Sequence, residues 1–196
     1  MATIKTKKPL VFVDLDGVVA DFVGPLIKKG FPYPRDYHFG NYSEEDRKYV
    51  NSLFHDPDFY LQLEPMPGAQ EALMSIIELN VFGGFLTARP HSVLEATMRW
   101  VGHHFPFVFL TSPQPVINHP DKAGFVREAA SLYGGDIRVV EDAPHHASGI
   151  ARAGGLVYLV DHPYNRNSDY PDGVLRVEGI EEAVNHLRSE VLAFQD

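Results

Sequence analysis

One stretch of the sequence decides the predicted fold: Leu10-Val11-Phe12-Val13-Asp14-Leu15-Asp16-Gly17. Its four apolar residues follow Pro9 without interruption, which is typical of a parallel strand that is buried on both faces. Two carboxylates then end the run, and the glycine after them allows a sharp turn. We therefore predict a strand over Leu10–Val13 with Asp14 and Asp16 at its carboxyl end.

Similar apolar runs recur along the chain, and helical patterns separate them. Further strands are predicted over Val81–Leu86, Phe107–Leu110, Ile137–Val140 and Leu156–Val160. Helices are predicted over Ala69–Leu79, His91–His103, Lys122–Leu132, His145–Ala153 and Ile180–Phe194. This alternation predicts an α/β fold with a Rossmann-like, mostly parallel sheet flanked by helices. Its site should lie at the carboxyl ends of the strands, where the sequence has Asp14, Thr87, Thr111 and Asp142.

The segment from residue 21 to residue 65 interrupts the alternation between the first two strands. It is rich in aromatic residues, and it is too long for one crossover helix. We predict a small, mainly helical cap inserted after the first strand. The α/β core would then comprise residues 1–20 and 66–196, and the cap residues 21–65.

Two aspartates two positions apart can divide the chemistry of a hydrolysis. One stays ionised as a nucleophile or metal ligand, and the other carries a proton to the leaving oxygen. An ordinary Asp-Gly turn is the alternative interpretation of Asp14 and Asp16. After the second strand, the Thr87 hydroxyl and the backbone N–H groups that follow it, beginning at Ala88, could hold a phosphate, unless Thr87 only caps the helix.

Three further charged residues fit such a site. Lys122 begins a helix, where the helix dipole disfavours a cation, so it is either a surface residue or a phosphate-binding one. Glu141 and Asp142 end a strand, and their oxygen ligands favour Mg²⁺ over zinc or copper, although helix starts are also rich in acids. The histidine pairs at 103–104 and 145–146 lack the spacing of a zinc site and are expected at the surface or at the substrate's edge.

Composition narrows the class of protein. The chain has 196 residues, a net charge of −9 and no cysteine. The missing cysteines exclude a disulfide framework, a zinc ribbon and a cysteine nucleophile. The negative charge argues against binding duplex nucleic acid through a broad basic surface. No secretory signal or membrane span is predicted, so we expect a soluble cytoplasmic protein, and the oligomeric state is left open.

The order Asp14/Asp16, Thr87, Lys122, Asp142 resembles the four motifs of the haloacid dehalogenase-like phosphohydrolases. The resemblance implies that Asp14 attacks phosphorus and forms an aspartyl-phosphate, and that Asp16 protonates the leaving group and later activates water. It implies that Thr87 and Lys122 hold the phosphoryl oxygens. It also implies that Asp14, the backbone carbonyl of Asp16, and Asp142 bind Mg²⁺. Glu141 stands where many members have a second aspartate.

Within that superfamily the chain is most similar to the 5′(3′)-deoxyribonucleotidases. The similarity lies in three stretches: Asp14–Phe22, Phe59–Ala69 and His162-Pro163-Tyr164-Asn165. It implies that Phe22, and an aromatic residue of the cap near Phe54, stack on a nucleobase, although some of these rings must form the cap's own core. Where the family usually has serine after the threonine, this chain has Ala88-Arg89, and Arg89 is a candidate substrate contact or a surface charge.

The predicted function is a Mg²⁺-dependent phosphomonoesterase that acts on a small molecule, a (deoxy)nucleoside monophosphate. A sugar phosphate or the phosphorylated end of a nucleic acid is an alternative substrate. A regulatory module that only accepts phosphate is the non-enzymatic alternative, but it would need neither Asp16 nor an aromatic cap. A dehalogenase fits less well, because Asp16 and the acids suited to Mg²⁺ favour phosphate chemistry.

Overall fold

The computed structural model describes residues 7–193, in which six strands form one parallel sheet. The strands are β1 (Leu10–Val13), β2 (Phe82–Thr87), β3 (Val116–Asn118), β4 (Ile137–Glu141), β5 (Leu156–Val160) and β6 (Val174–Val177). Their order across the sheet is β3-β2-β1-β4-β5-β6. In this doubly wound order the direction of winding reverses between β1 and β4. The predicted α/β, Rossmann-like sheet is confirmed.

Helices connect and cover the strands. They are α1 (Gly24–Lys28), α2 (Glu44–Leu53), α3 (Pro57–Leu61), α4 (Ala69–Glu78), α5 (Leu94–His104), α6 (Lys122–Tyr133), α7 (Pro144–Arg152) and α8 (Ile180–Leu192). Short 3₁₀ helices span His91–Val93, Pro106–Leu110 and Pro163–Asn165. Phe194, the predicted end of the last helix, and residues 1–6 of the predicted core lie outside the described residues. Within residues 7–193, none of the helices has both the length and the apolar composition needed to cross a membrane.

The core lies on both faces of the sheet, because successive strand residues point in opposite directions. Val11 and Val13 of β1 belong to a cluster that includes Leu73 of α4, Trp100 of α5 and Leu187 of α8. Phe12, between them, belongs to a second cluster with residues of α6 and α7. Burial on both faces explains why the strands read as continuous apolar runs rather than as alternating ones.

The two ends of the segment between β1 and α4 lie next to each other. The Asp21 N–H donates to the Glu64 carbonyl at 2.9 Å, and the Met66 N–H donates to the Val19 carbonyl at 2.9 Å. The helices α1, α2 and α3 all lie between Asp21 and Glu64 in the sequence. Adjacent ends are what an insertion into a core requires. The division into a core (1–20 and 66–196) and a cap (21–65) stays a prediction.

The prediction of a strand over Phe107–Leu110 is wrong. These residues lie in the 3₁₀ helix Pro106–Leu110, in which Val108 is buried and Leu110 is 89% exposed. Pro106 has no N–H to give to a neighbouring strand. Thr111 therefore follows a helical turn and not a strand, and its hydroxyl donates locally to the Val108 carbonyl at 2.7 Å.

The strands at the two edges of the sheet were not predicted. β3 has only three residues, all half-buried. In β6, Leu175 and Arg176 are exposed and only Val177 is fully buried. An edge strand pairs on one side only, so short or polar sequences suffice there and the apolar signal is lost.

Candidate active site

Four buried polar residues from separate elements lie along the carboxyl edge of the sheet, beside the point where the winding reverses. Asp14 follows β1, Thr87 ends β2, and Asp142 follows β4. Lys122 is the first residue of α6, whose start is capped by Asp121. Because β1 lies between β2 and β4, the strand order brings these residues to one edge. The structure thus places together every residue of the predicted group except Thr111.

Lys122 lies between two carboxylates. Its Nζ is 2.8 Å from Asp14 Oδ2 and 2.8 Å from Glu141 Oε2. Burial alone would lower the pKa of Lys122, but these two carboxylates raise it above its usual value. Burial, followed by the charge of Glu141, raises the pKa of Asp14 to about 6 in spite of Lys122. Lys122 is 1% exposed and is a fixed positive charge beside Asp14, so the surface interpretation is wrong.

The two acids after Val140 have different environments. Glu141 uses both oxygens inside the protein: Oε2 accepts from Lys122, and Oε1 accepts from the N–H groups of Asp142 at 3.1 Å and Ala143 at 3.0 Å. Asp142 Oδ2 accepts a 2.5 Å hydrogen bond from the Tyr164 hydroxyl. Burial, followed by the charges of Glu141 and Asp14, raises the pKa of Asp142 well above its usual value. Three buried carboxylates thus lie beside one buried cation, Lys122, and a bound cation would offset the charge that remains.

The donor set fits a magnesium ion. Asp14, Glu141 and Asp142 each offer an oxygen, and these atoms lie within 4.8 Å of one another. Between residues 7 and 193 it is the one cluster of acidic, histidine or cysteine side chains with this geometry. A buried site with oxygen ligands alone suits Mg²⁺ rather than zinc. Both oxygens of Asp14 and both of Glu141 have partners within the protein, whereas the Tyr164 hydrogen bond engages Asp142 through Oδ2. The assignment of Asp14 and Asp142 as the direct ligands therefore stays a prediction from the family resemblance.

Sequence reasoning missed the residues that support Asp142 from the loop after β5. The Asn165 side-chain amide donates to the carbonyls of Asp142 at 2.9 Å and Val160 at 2.7 Å. His162 Nε2 lies 2.7 Å from the Gly17 carbonyl oxygen. With Tyr164, these residues belong to His162-Pro163-Tyr164-Asn165, one of the three stretches that carry the family resemblance. The available signal was their position, since polar residues directly after a buried strand lie at the site's edge of the sheet.

Asp16 is held by Arg89. The Arg89 Nε donates to Asp16 Oδ2 at 2.9 Å, and Nη2 donates to Oδ1 at 2.6 Å. Burial alone would lower the pKa of Arg89, but Asp16 raises it above its usual value. Arg89 is only 5% exposed, so its interpretation as a surface charge is wrong. A direct contact between Arg89 and substrate stays a prediction.

Thr87 does not cap the helix that follows it. Its hydroxyl oxygen accepts a 3.2 Å hydrogen bond from the Arg89 N–H, within the loop between β2 and the 3₁₀ helix His91–Val93. Pro90 stands at the N-cap of that 3₁₀ helix, and Val93 at the N-cap of α5. Thr87 is 1% exposed and Ala88 is half-buried. Their predicted contacts with phosphoryl oxygens stay predictions.

A cleft opens beside Asp16 and Asp142. Its lining includes aromatic residues of the segment between β1 and α4, among them Phe22, Tyr37 and Phe54. The rings of Phe22 and Phe54 stack on each other with centroids 5.2 Å apart and planes 18° apart. A base between two rings would need about 7 Å, that is, two carbon contacts of about 3.5 Å. The cleft as it stands therefore offers a base an edge or one face of these rings.

Comparison with solved structures shows the fold. A hydrolase from Pseudomonas syringae matches with a TM-score of 0.57 and 15% identity over 93% of this chain and 99% of that one. A D,D-heptose 1,7-bisphosphate phosphatase from B. bronchiseptica, complexed with magnesium and phosphate, matches with a TM-score of 0.56 and 16% identity over 94% and 99% of the two chains.

Comparison with curated proteins and with family models shows the family to which this chain belongs. A human cytosolic-type 5′(3′)-deoxyribonucleotidase is 31% identical over 113 residues, 48% of this chain and 56% of that protein. The mitochondrial 5′(3′)-deoxyribonucleotidase of Mus musculus is 29% identical over 121 residues, 51% and 54% of the two chains. The match thus spans about half the length of these relatives, and a cytoplasmic location stays a prediction. The family model described as "5′ nucleotidase, deoxy (Pyrimidine), cytosolic type C protein" matches residues 8–191, and the chain belongs to this family.

Proposed function

We propose that this protein is a Mg²⁺-dependent phosphomonoesterase that removes the phosphate from (deoxy)nucleoside monophosphates through an aspartyl-phosphate. The observation that supports this best is the buried group of Asp14, Lys122 and Asp142 beside an aromatic cleft. Displacement at phosphorus requires a nucleophile, a fixed cation and a cluster of acids that can bind a metal ion. The family relationship supports the same chemistry.

In the first step an Asp14 carboxylate oxygen attacks phosphorus, and the bond from phosphorus to the leaving oxygen breaks. The leaving oxygen takes a proton from Asp16, which lines the cleft. Asp14 is held for this attack, since Lys122 contacts its Oδ2 and the Leu15 N–H donates to its Oδ1 at 2.8 Å. The products are the alcohol and an aspartyl-phosphate on Asp14.

In the second step a water molecule attacks the phosphorus of the aspartyl-phosphate. Asp16, now ionised, takes the proton from that water, the bond from phosphorus to Asp14 breaks, and inorganic phosphate leaves. Lys122, the Thr87 hydroxyl and the Ala88 N–H would hold the phosphoryl oxygens through both steps. Dividing one difficult displacement in two makes each barrier lower.

Asp14, Asp142 and the backbone carbonyl of Asp16 would hold the magnesium ion. When bound, Mg²⁺ neutralises charge on the phosphoryl group during transfer. Glu141 would support the site by fixing Lys122 and the backbone at Asp142. The hydrogen bond from Tyr164 would orient the Asp142 carboxylate toward the ion, as outer-shell partners of metal ligands do.

The aromatic cleft favours a nucleotide as substrate. A base that stacks on the face of an aromatic ring gains about 1–3 kcal/mol whatever its identity. Phe22 and Phe54 both line the cleft that also contains Asp16 and Asp142, so the base would lie close to the reacting phosphate. One experiment tests both the substrate class and the need for Mg²⁺.

That experiment measures phosphate release from a panel of 5′- and 3′-(deoxy)nucleoside monophosphates and sugar phosphates, with Mg²⁺ and with EDTA. We expect release from nucleotides that depends on Mg²⁺. Release from sugar phosphates alone would keep the mechanism and overturn the substrate class. The absence of release from every compound, by a folded protein, would contradict an enzymatic function and favour a phosphate-binding module.

Tyr164→Phe is expected to weaken Mg²⁺ binding about tenfold, because Asp142 loses the hydroxyl that orients it. Calorimetric titration with Mg²⁺ in the absence of substrate measures this directly. Tyr133→Phe is the matched control, since its hydroxyl donates to the Lys8 carbonyl at 2.8 Å, away from the acidic cluster. Equal Mg²⁺ affinity of the wild type and Tyr164→Phe would contradict the orienting role assigned to Tyr164.

Phe54→Ala is expected to raise KM for deoxynucleotides about tenfold, because a base contact of this kind is worth about 1–3 kcal/mol. The KM for p-nitrophenyl phosphate, which has no base, should change less. Phe31→Ala is the matched control, since Phe31 stacks on Tyr42 and Tyr49 in the same segment and does not line the cleft. A nucleotide KM that rises no more in Phe54→Ala than in Phe31→Ala would remove Phe54 from the base site.

A further inference from the structure

The ion pair between Arg89 and Asp16 is bidentate, and its arginine side chain is buried away from solvent. Two donors of one guanidinium contact the two oxygens of one carboxylate, at 2.9 and 2.6 Å. The Arg89 side chain is 1% exposed, whereas that of Asp16 is 27% exposed. Because the guanidinium is planar and rigid, such a pair fixes the plane of the carboxylate as well as its position.

Arg89 is itself held from several sides. Its Nη1 donates to the Thr97 hydroxyl at 3.2 Å, and its guanidinium carbon lies 4.2 Å from the centroid of the Tyr60 ring and 5.7 Å from that of the Trp100 ring. Its carbonyl accepts a 2.6 Å hydrogen bond from the Asn118 amide. To reach a phosphate, the guanidinium would have to leave Asp16, Thr97 and the face of Tyr60, all within a buried site.

We propose that Arg89 is a positioning residue, which fixes the Asp16 carboxylate in the orientation from which it exchanges protons with the leaving oxygen and with water. An ionised carboxylate has about four lone-pair positions, and the arginine fork uses two of them. When Asp16 is protonated for the first step, its proton occupies a third position, from which it passes to the leaving oxygen. Asp16 lines the cleft, so the remaining positions are available to a reacting group while the ion pair stays intact. This inference rests on the proposed function, and it assigns Arg89 no contact with substrate.

Arg89→Met tests the inference, because methionine keeps the length and can still pack on Tyr60. We expect kcat for deoxynucleotides to fall about 10²-fold, the cost of a misplaced catalytic group. We expect KM to stay within about twofold, because no binding contact is lost. Arg138→Met is the matched control. Arg138 is also buried and pairs with Glu190 at 2.9 Å, and it lies near the start of β4, whereas the acids of the site lie at the end of that strand. Its kcat should equal that of the wild type.

A comparison of leaving groups distinguishes action through Asp16 from general damage to the site. A nucleoside needs a proton as it leaves, whereas p-nitrophenolate leaves without one. Because kcat/KM reports the first step alone, Arg89→Met should lower kcat/KM far more for deoxynucleotides than for p-nitrophenyl phosphate. Equal losses on the two substrates would contradict the inference.

Two other outcomes would overturn it. A raised KM with unchanged kcat would make Arg89 a substrate contact, and a kcat like that of Arg138→Met would make it a structural residue. Should Arg89→Met not fold, Arg89→Lys provides the same test, because lysine keeps the charge but cannot form the fork. A wild-type protein without phosphatase activity would overturn the proposed function itself, and so it is distinguished from a failure of this inference.

Discussion

Asp14→Asn is expected to lower kcat for phosphate release by about 10⁴-fold or more, the scale seen when a catalytic nucleophile is removed. The amide cannot attack phosphorus, so no aspartyl-phosphate can form. The fold should persist, because asparagine has the same shape and Lys122 keeps its contact with Glu141. Phosphate release at saturating deoxynucleotide and Mg²⁺ measures the effect, and thermal unfolding checks the fold.

Asp161→Asn is the matched control for this variant. Asp161 follows β5 as Asp14 follows β1, but its carboxylate pairs with Arg166 at 2.5 Å and Arg176 at 2.6 Å, away from the acidic cluster. Its kcat should stay within about twofold of the wild-type value, as for a residue outside the site. If Asp14→Asn kept more than about a tenth of wild-type kcat, water rather than Asp14 would be the attacking group.

Lys122→Met is expected to lower kcat about 10³-fold, because the phosphoryl group loses a fixed positive charge in a buried site. It should also lower the free energy of unfolding by about 3–5 kcal/mol in the presence of EDTA, the usual cost of breaking a buried ion pair. The reason is that Asp14 and Glu141 would then be buried without the cation that lies 2.8 Å from each. Urea unfolding and steady-state kinetics measure the two effects.

Arg138→Met separates the two effects of Lys122→Met. It breaks a partly buried ion pair, with Glu190, so it should lower stability, by less than Lys122→Met does, while kcat is unchanged. Saturating Mg²⁺ should reduce the stability deficit of Lys122→Met. An ion that binds only the folded state stabilises it, and the acids bind the ion more tightly once the lysine charge beside them is gone. A Lys122→Met protein with wild-type kcat would show that this lysine does not act on the transferring phosphate.

The sequence predicts the centre of the sheet well, because buried parallel strands carry a continuous apolar signal. The predicted β1 matches the observed strand residue for residue, and β5 does as well. Asp14 after β1 and Asp142 after β4 follow from the same signal, since functional side chains in doubly wound folds lie at strand ends. Only the strand order, which no local pattern encodes, brings Lys122 to Asp14.

The remaining features depend on contacts between distant parts of the chain. Arg89 joins Asp16 across 73 positions of sequence, and Tyr164 joins Asp142 across 22. Neither pair has a spacing that propensity or periodicity can detect, so Arg89 was open to interpretation as a surface charge. The segment between β1 and α4 is similarly hard to interpret, because the same aromatic residues can build its own core or line the cleft.

The measurement that tests the central claim most directly is a search for the covalent intermediate in Asp16→Asn with p-nitrophenyl phosphate and Mg²⁺. The first step needs no proton for this leaving group, whereas the second step lacks its base, so the intermediate should accumulate. We predict a burst of about one p-nitrophenolate per active site, and a phosphoryl group on the peptide containing Asp14 after acid quenching, detected by mass spectrometry. A wild-type enzyme that turns over, paired with an Asp16→Asn protein that shows neither burst nor phosphorylated peptide, would contradict nucleophilic attack by Asp14.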